Sequence, residues 1–331
     1  MEFGITLQPD PPPSAIVALA KRAEANGFTY GWLFDSHILW QECYPLLTMM
    51  ALATTKMKLG PCVTNPGTRD WTVTASVLAT LNHISLGRMV CGIGRGDSAR
   101  RVLGKTPMTL ETLEKAVHVI KNLAEGRAVR YGEKELKIPW AKGELPIYVA
   151  GYGPKALASA GKVGDGFILQ LADPYLVKWS RDRVRAAAKE AGRDPDKIKV
   201  CVAAPAYVSS DLAHAREQIR WFPAMVSNHV MDLISRYKPG KDIPQELTDY
   251  VKSRMGYDYA EHGRTGARHA AFVSDEIVDR FCLVGTEEQH IEKLRELKRL
   301  GVDQFNIYLM HDNKERTLDA YGDKIIPALR G

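Results

Sequence analysis

Short apolar runs alternate with amphipathic segments from one end of the chain to the other. Eight of these runs are continuously apolar, which is typical of parallel strands covered by helices on one face and packed with side chains on the other. Eight strands, most of them followed by a helical pattern, predict one (β/α)₈ barrel, the TIM-barrel fold, rather than a doubly wound sheet. The predicted strands are residues 2–7, 30–34, 57–63, 88–94, 146–151, 166–171, 198–208 and 304–309.

The amphipathic segments between these runs predict the helices of the barrel. Ser14 is the predicted cap of the first helix, and Thr286 with Gln289 forms a capping-box pattern before the last strand. Residues 127–140 interrupt the alternation and predict a short surface hairpin. Other apolar positions recur at helical spacing over residues 43–55, 71–84, 110–125 and 174–191.

Residues 211–280 are far more than one strand–helix unit needs. The segment is punctuated by glycine and rich in histidine and arginine. A loop of this length inside a barrel is usually a lid or a substrate-binding insertion, and otherwise a disordered excursion. We expect residues 1–331 to form one domain with a lid at about 211–280. Its candidate anion-binding side chains, which a solvated charged loop would equally explain, are His262, Arg264, Arg268 and His269.

The composition excludes several classes of protein. The 331 residues are 45% hydrophobic and 25% charged, as in ordinary globular proteins, and the apolar runs are far shorter than the roughly 20 residues that cross a bilayer. The start of the chain has no signal-peptide pattern, so we expect a cytoplasmic protein without membrane contact. The five cysteines are scattered, which argues against a metal site and a disulfide framework. The net charge is +6, and the basic residues are interleaved with acidic ones along the chain. This pattern argues against nucleic-acid binding.

Polar residues at the carboxyl ends of the predicted strands are the candidates for chemistry, because TIM-barrel enzymes place their active sites there. Thr6 lies at the end of the first strand, and Gln170 at the end of the sixth. Asp35 and His37 follow the second strand, where a carboxylate can orient an imidazole for proton transfer. The structural alternative is a loop-capping aspartate and a packed histidine. We take His37, Asp35 and Thr6 as candidate catalytic residues.

Three glycine-bearing loops are candidate ligand sites. The loop after the fourth strand reads GIGRGD and contains Gly94, Arg95, Gly96 and Asp97, but it lacks the third glycine of the dinucleotide fingerprint. After the third strand, GPCVTNPG predicts a sharply bent backbone around residues 62–65. The loop after the fifth strand reads AGYGPK and opens a helix whose free N–H groups, beside a lysine, predict a phosphate site. Its residues are Gly151, Tyr152, Gly153, Pro154 and Lys155.

In these segments the chain resembles the bacterial-luciferase-like superfamily, and within it the methylenetetrahydromethanopterin reductase group. The resemblance covers nearly all of the chain apart from about 211–275. It is specific because several segments occur together, in order and at matching spacing. They read MEFGI, AKRAEANGFTYGWLFD, KLGPCVTNP, TASVLATLNHISLGRMVCGIGRGD, LPIYVAGYGPKALASAGKVGDG and FCLVGTEEQHIEKLRELKRLGVDQF.

The resemblance implies a luciferase-like TIM barrel that transfers hydride between the deazaflavin coenzyme F420 and a small organic substrate, and it implies a homodimer. One alternative is an FMN-dependent monooxygenase supplied by a separate flavin reductase, and another is a non-catalytic flavin-binding barrel. In the family, a non-prolyl cis peptide backs the ring, here at Cys62–Val63 and followed by Thr64 and Asn65. The loops at 92–97 and 151–155 would hold the phosphate and ribityl tail.

Three departures from the family pattern leave the cofactor and substrate open. Thr6 stands where the methanopterin enzymes carry glutamate, and Ser36 separates Asp35 from His37 where they read Asp-His. Arg95 stands where they carry proline, whereas several FMN-using relatives have arginine there to contact the phosphate. We therefore expect the cofactor to be F420 or FMN, and we expect the loss of Lys155 or Arg95 to weaken its binding.

Overall fold

The computed structural model describes residues 1–330, so Gly331 of the predicted domain lies outside the described residues. Eight of its strands form a parallel barrel, two form a separate hairpin, and one pairs in parallel with the carboxyl end of a barrel strand. The strands are β1 Glu2–Leu7, β2 Tyr30–Leu33, β3 Lys58–Pro61, β4 Cys91–Ile93, β5 Val129–Tyr131, β6 Lys134–Leu136, β7 Ile147–Ala150, β8 Gly166–Leu169, β9 Lys199–Val208, β10 Leu283–Gly285 and β11 Gln304–Tyr308.

The barrel strands follow the order β3-β2-β1-β11-β9-β8-β7-β4, and every neighbouring pair is parallel. Single parallel bridges from Leu59 to Met89 and from Thr64 to Ile93 join the two ends of this path. The predicted (β/α)₈ barrel is therefore confirmed. All eight predicted strands belong to it, and β5 and β6 pair antiparallel as the predicted hairpin.

Helices cover the outside of the barrel and agree with the predicted segments to within a few residues. The helices are α1 Pro13–Ala25, α2 Cys43–Ala53, α3 Trp71–Ile84, α4 Ser98–Arg101, α5 Leu110–Ala124, α6 Pro154–Val163, α7 Pro174–Glu190, α8 Leu212–Ile219, α9 Trp221–Ile234, α10 Gln245–Thr248, α11 Asp275–Phe281, α12 Glu287–Arg299, α13 Lys314–Ala320 and α14 Ile326–Leu329. Short 3₁₀ turns occur at Pro195–Lys197, Asp249–Val251, Tyr259–Glu261 and Arg268–Ala270, and a π-helical turn at Tyr321–Ile325.

One of the two predicted helix caps is present in the structure and the other is not. Thr286 and Gln289 form the complete capping box at the start of α12, as the pattern indicates. The prediction that Ser14 caps α1 is wrong, because α1 begins one residue earlier at Pro13 and Ser14 lies within its first turn. Proline is favoured at a first helical position, since its ring fixes a helical φ and it has no N–H to leave unbonded.

The segment 211–280 contains α8 to α11 and packs over the carboxyl end of the barrel. The Tyr250 hydroxyl donates to the Pro223 carbonyl at 3.0 Å, and Arg220 pairs with Asp275 at 2.6 Å. Phe222 is fully buried at the base of the segment, where its ring lies 5.4 Å from that of Tyr308 on β11. The segment is thus packed on the strand ends where the predicted site lies. Among residues 1–330 no helix combines the length and the apolar character that a membrane crossing requires.

His290 on α12 provides a pH-dependent contribution to stability. Its Nδ1 lies 3.0 Å from the Tyr321 hydroxyl and its Nε2 lies 3.3 Å from the Tyr207 carbonyl. Burial lowers the pKa of His290 from 6.5 to about 3. The unfolded chain therefore binds more protons between these two pH values. The stability from this neutral histidine is fully present above pH 6.5 and is lost as the pH falls toward 3.

We expect the wild-type protein to lose about 2 kcal/mol more unfolding free energy than a His290→Gln variant between pH 7.5 and pH 5, from the pKa difference over that interval. Urea denaturation at the two pH values measures this difference. A His37→Gln variant, which removes an exposed imidazole, is the control and should keep the wild-type pH dependence. Equal pH dependence in the His290→Gln variant and the wild type would contradict this assignment.

Candidate active-site cleft

A cleft opens at the carboxyl ends of the barrel strands, between the strand-end loops and the 211–280 segment. It contains about 1140 Å³ of space between protein atoms, part of it open to solvent. The loops after β2, β3, β4, β7 and β8 form one wall, and α9 with the residues after it forms the other. The cleft brings together twelve of the predicted site residues: Asp35, Cys62, Val63, Asn65, Gly94, Arg95, Gly96, Asp97, Gly151, Tyr152, Gly153 and Gln170.

The floor of the cleft lies where β3 ends beside β4. The peptide bond between Cys62 and Val63 is cis, at the position that the family resemblance implies. Gly92 and Gly94 allow β4 to lie against this bend. A Cβ on Gly92 would be 2.6 Å from the Pro61 carbonyl oxygen, and one on Gly94 would be 3.0 Å from a methyl group of Val63. Any larger residue at either position would displace the floor.

A hydrogen-bonded chain connects the floor to the side wall. The Tyr152 hydroxyl donates to Gln170 Oε1 at 3.0 Å, and Gln170 Nε2 donates to the buried Tyr308 hydroxyl at 2.5 Å. The Tyr152 ring also stacks on His229 of α9, with ring centroids 4.7 Å apart. Burial raises the pKa of the Cys62 thiol to about 12, so this side chain remains a neutral thiol at physiological pH. Gln170 therefore holds the two tyrosine hydroxyls in place at the base of the cleft.

Asp35 is held by Arg69 rather than by a histidine. Arg69 Nη1 donates to both carboxylate oxygens of Asp35, at 2.8 and 3.0 Å, and Nη2 donates to Glu42 at 2.5 and 2.7 Å. The guanidinium also lies over the Tyr44 ring, 4.8 Å from its centroid. Burial raises the pKa of Asp35, and the positive charge of Arg69 counteracts part of that increase. The pair anchors the β2 loop against the β3 loop.

Replacing Arg69 with glutamine is expected to lower the unfolding free energy by about 2 kcal/mol, because it leaves the buried Asp35 carboxylate without a charged partner. Adding Asp35→Asn should restore much of that loss. A Glu42→Gln variant removes the exposed carboxylate from the same guanidinium and should change stability by no more than about 0.5 kcal/mol. Denaturant unfolding of these variants is the measurement. An Arg69→Gln loss no larger than that of Glu42→Gln would show that the buried pair contributes nothing.

Five charged side chains lie at the mouth of the cleft, three arginines and two aspartates. Both aspartates bind one arginine: Arg101 pairs with Asp97 at 2.5 Å and with Asp232 of α9 at 2.5 Å. Within residues 1–330, no carboxylate lies at ion-pair distance from Arg95 or Arg236. The half-buried Arg95 donates to the Met108 carbonyl, and burial together with the positive charge of Arg236 lowers the pKa of Arg95. Two like charges thus line the same cleft without a direct ion pair, while the nearby Asp232 and Asp97 act on Arg95 in the opposite direction.

The amino end of α6 is the second electropositive feature. Gly153 precedes the helix, Pro154 is its first residue, and no side chain caps it. The N–H groups in the first turn of a helix have no partner within the helix and favour an anion. Gly151 and Ala156 line the cleft beside this end. Gly153 has a packing role as well, because a Cβ there would lie 2.4 Å from Leu233 of α9.

The luciferase-like monooxygenase family model matches residues 1–304. The chain belongs to this family. A 5,10-methylenetetrahydromethanopterin reductase of Archaeoglobus fulgidus is 32% identical over the full length of both proteins. The same reductase of Methanolobus tindarius is 32% identical and covers 98% of this chain and all of the relative. A solved coenzyme F420-dependent tetrahydromethanopterin reductase of Methanopyrus kandleri has a TM-score of 0.78 at 26% identity, over 98% of each chain.

Two catalytic candidates do not lie in the cleft of this luciferase-like barrel. His37 is exposed, because the chain turns at Ser36, whose carbonyl accepts from the N–H groups of Leu39 and Trp40. The expected Asp35–His37 pairing is therefore wrong. Thr6 is fully buried inside the barrel below the cleft, where its hydroxyl accepts a hydrogen bond from Asn306 at 2.6 Å. It is therefore not among the residues that line the cleft.

Three predicted cofactor-binding residues also lie away from the cleft wall. Thr64 is fully buried and accepts a hydrogen bond from the Tyr44 hydroxyl at 3.3 Å. Pro154 and the exposed Lys155 lie in the first turn of α6, outside the set of residues that line the cleft. The expectation that the Lys155 side chain binds the phosphate therefore does not fit this luciferase-like site, whereas the backbone of the same turn does.

The sequence interpretation missed the contribution of α9 to this luciferase-like site. Its lining residues recur along one helical face and continue past its end to Arg236. Helical spacing of mixed polar and apolar side chains was the available signal, but nothing in the pattern showed which face would meet the barrel. The residues on this face are Met225, His229, Asp232 and Leu233.

Of the histidines and arginines predicted to bind an anion in the insertion, only His262 lines the cleft. Arg264 lies over the Trp40 ring, 5.2 Å from its centroid. Arg268 donates its backbone N–H to Glu261, and His269 packs against Tyr257 with ring centroids 4.1 Å apart. Arg268 is therefore exposed on the segment, whereas the His269 side chain is buried within it, outside the cleft.

One group of side chains within residues 1–330 is close enough to share a metal ion, namely Asp35, Glu42 and Cys43. Arg69 already binds both carboxylates, and burial raises the pKa of the Cys43 thiol well above its usual range. This cluster is an ion-pair network with a neutral thiol, and its chemistry does not favour a metal ion.

Proposed function

We propose that this protein is an oxidoreductase that transfers hydride between coenzyme F420 and a small organic substrate. The observation that carries the proposal is the pair Arg95 and Arg236, two guanidinium groups without a direct ion pair within residues 1–330, in the same cleft as the uncapped amino end of α6. Similarity over the full chain to methylenetetrahydromethanopterin reductases supports the choice of F420, since the related solved reductase is coenzyme F420-dependent.

The residues of the cleft fit a deazaflavin with a phosphorylated, carboxylate-bearing tail. Arg95, Arg236 and the first turn of α6 would bind the negative charges of the tail. Phe34, Val63 and Tyr152 offer apolar and aromatic surface for a flat ring. Asn65 also lines the cleft, and its buried Nδ2 has no hydrogen-bond partner in the described chain. That amide is available to donate to a carbonyl or ring nitrogen of the cofactor.

When bound, F420 supplies the hydride chemistry, and the protein orients the reacting groups and controls water. Trp40 and Met225 on opposite walls narrow the cleft above the floor. Gln170 keeps the Tyr152 and Tyr308 hydroxyls engaged, so neither is left as an unpaired polar group against a flat ring. Cys62 remains a neutral thiol and adds no charge beneath the ring.

FMN is the second candidate cofactor. Several FMN-using relatives in the superfamily that the chain resembles carry arginine at the position of Arg95. The FMN-dependent monooxygenase would need a flavin reductase as partner, whereas the F420 enzyme needs none. The homodimer stays a prediction for both.

Fluorescence titration of the purified chain with F420 and with FMN separates the two proposals. We expect F420 to bind in the micromolar range or tighter, and FMN to bind at least tenfold more weakly. The reduced cofactor should then be oxidised by an organic acceptor without consumption of dioxygen, as an oxygen electrode records. Tighter binding of FMN, or dioxygen consumption coupled to turnover, would overturn the F420 assignment.

A further inference from the structure

The 211–280 segment places an imidazole in the cleft that the strand ends do not provide. His262 lines the cleft and is 6% exposed. Its Nδ1 lies 2.7 Å from the Tyr257 hydroxyl, and its backbone N–H donates to the Tyr259 carbonyl. Nε2 has no hydrogen-bond partner within residues 1–330. It is therefore the ring nitrogen available to a ligand.

The surroundings of His262 determine its protonation state. Burial raises the pKa of Tyr257, so this phenol is neutral, and we assign its hydroxyl as the hydrogen-bond donor to Nδ1. Burial also lowers the pKa of His262 to about 4, with His229 and His269 lowering it further and Asp97 opposing them. Tyr259 stacks on the imidazole at 5.7 Å, and Arg254 lies over the Tyr257 ring at 5.8 Å. At neutral pH the ring is thus uncharged and carries its proton on Nε2.

A fixed N–H donor in a cleft lined by protein stabilises an oxygen on which negative charge develops. We propose that His262 is a catalytic residue that donates a hydrogen bond from Nε2–H to the carbonyl oxygen of a small ketone or aldehyde substrate. This inference rests on the proposed hydride transfer and names the substrate class of the same cleft. Tyr257 is a positioning residue, because it acts only through the tautomer of His262.

The step balances without a further reagent. In the direction of reduction, the carbonyl carbon gains the hydride that reduced F420 supplies, and a C–H bond forms. The π electron pair of the C=O bond moves onto oxygen, where the Nε2–H group of His262 stabilises the alkoxide. A proton that arrives through water completes the alcohol. The reduced cofactor, after giving up its hydride, releases its second hydrogen as the proton that replaces it, so oxidised F420 is the second product. His262 stays neutral throughout.

The first test uses the protein without any ligand. Nitrogen-15 NMR of the imidazole side chains should show His262 as the Nε2–H tautomer from pH 5 to pH 8. Tyr257→Phe should lose that single tautomer. Tyr259→Phe is the matched control, because it removes a hydroxyl from the other ring that stacks on His262 while leaving the Tyr257 hydrogen bond intact, and it should keep the tautomer. Protonation of His262 near pH 6.5, or a proton on Nδ1 in the wild type, would overturn the proposal.

The second test uses cyclohexanone as the carbonyl probe with the F420-loaded protein. We expect His262→Leu to slow reduction of cyclohexanone about 100-fold, in line with the loss of one oxyanion donor. His262→Asn retains an N–H donor and should recover part of the rate. Both variants should bind F420 within threefold of wild type.

The outcomes of the second test separate the two proposals. A His262→Leu rate within threefold of wild type, or failure of the loaded wild-type protein to bind cyclohexanone, would overturn the carbonyl assignment. Failure of the wild type to bind F420 would instead overturn the proposed function. The NMR result on the tautomer is unaffected by that failure. Circular dichroism spectra and unfolding midpoints of all variants show whether each one is folded.

Discussion

Replacing Arg95 and Arg236 together with alanine is expected to weaken F420 binding roughly 10²–10⁴-fold. Each charge-assisted hydrogen bond contributes about 1.5–3 kcal/mol to binding, and each 1.4 kcal/mol changes the dissociation constant about tenfold. Arg236→Ala alone should cost about 10–100-fold on the same scale. Fluorescence titration measures these affinities.

The single Arg236→Ala variant is the cleaner probe of the pair. Arg236 makes no side-chain hydrogen bond or ion pair within residues 1–330, whereas Arg95 also donates to the Met108 carbonyl. Its loss should therefore leave the unfolding midpoint unchanged while the affinity falls. Raising the salt concentration should weaken wild-type binding and narrow the gap between wild type and variant, because exposed charges are screened.

Lys155→Ala is the control for charge in this region. It removes a cation that lies next to the proposed tail site in sequence but outside the cleft wall. We expect its affinity to stay within threefold of wild type. A Lys155→Ala loss equal to that of the Arg95/Arg236 variant would place the tail on the outer side of α6. An unchanged affinity in the Arg95/Arg236 variant would refute the role of the arginine pair.

Gly60→Ala is expected to destabilise the protein by about 3 kcal/mol or more, at the upper end of overpacking effects. A Cβ at this position would lie 1.8 Å from the Val90 carbonyl oxygen. The obstacle is backbone, so no rotamer change relieves it. Val90 also donates its N–H to the Leu59 carbonyl at 2.9 Å, so the clash falls where β3 and β4 close the barrel. Urea denaturation, or soluble yield if the variant does not fold, is the measurement.

Gly132→Ala is the matched control for Gly60→Ala. Gly132 lies in the β5–β6 hairpin with φ of 63°, and no atom lies within 4 Å of the position that an alanine methyl group would take there. Its substitution should cost about 1 kcal/mol, the usual penalty for alanine in a left-handed conformation. Equal losses in the two variants would show that backbone conformation, and not the contact with Val90, limits Gly60.

The strands of the barrel were predictable because each is a local apolar run whose length and spacing carry the signal. The position of the site followed from the fold, since loops after parallel strands meet at one end. His37 and Lys155 were wrong for a different reason. Proximity in sequence to a strand end or a helix start does not determine side-chain direction, which depends on the turn at Ser36 and on the packing of α6.

The opposite wall of the cleft was beyond sequence reasoning because it depends on contacts between distant parts of the chain. Arg101 meets Asp232 across 131 positions, and Gly153 lies against Leu233 in a contact that is also remote in sequence. Neither contact has a local signature. The composition of the insertion made His262 one of four equal candidates, and only its packing shows that it lines the cleft.

The cleft takes one wall from five loops scattered over the barrel and the other from a single continuous stretch, residues 211–280. Changes to the first wall require coordinated substitutions at distant positions in the gene. Changes to the second wall require substitutions within one contiguous segment. The barrel scaffold and the wall that faces it are thus encoded in separable parts of the chain.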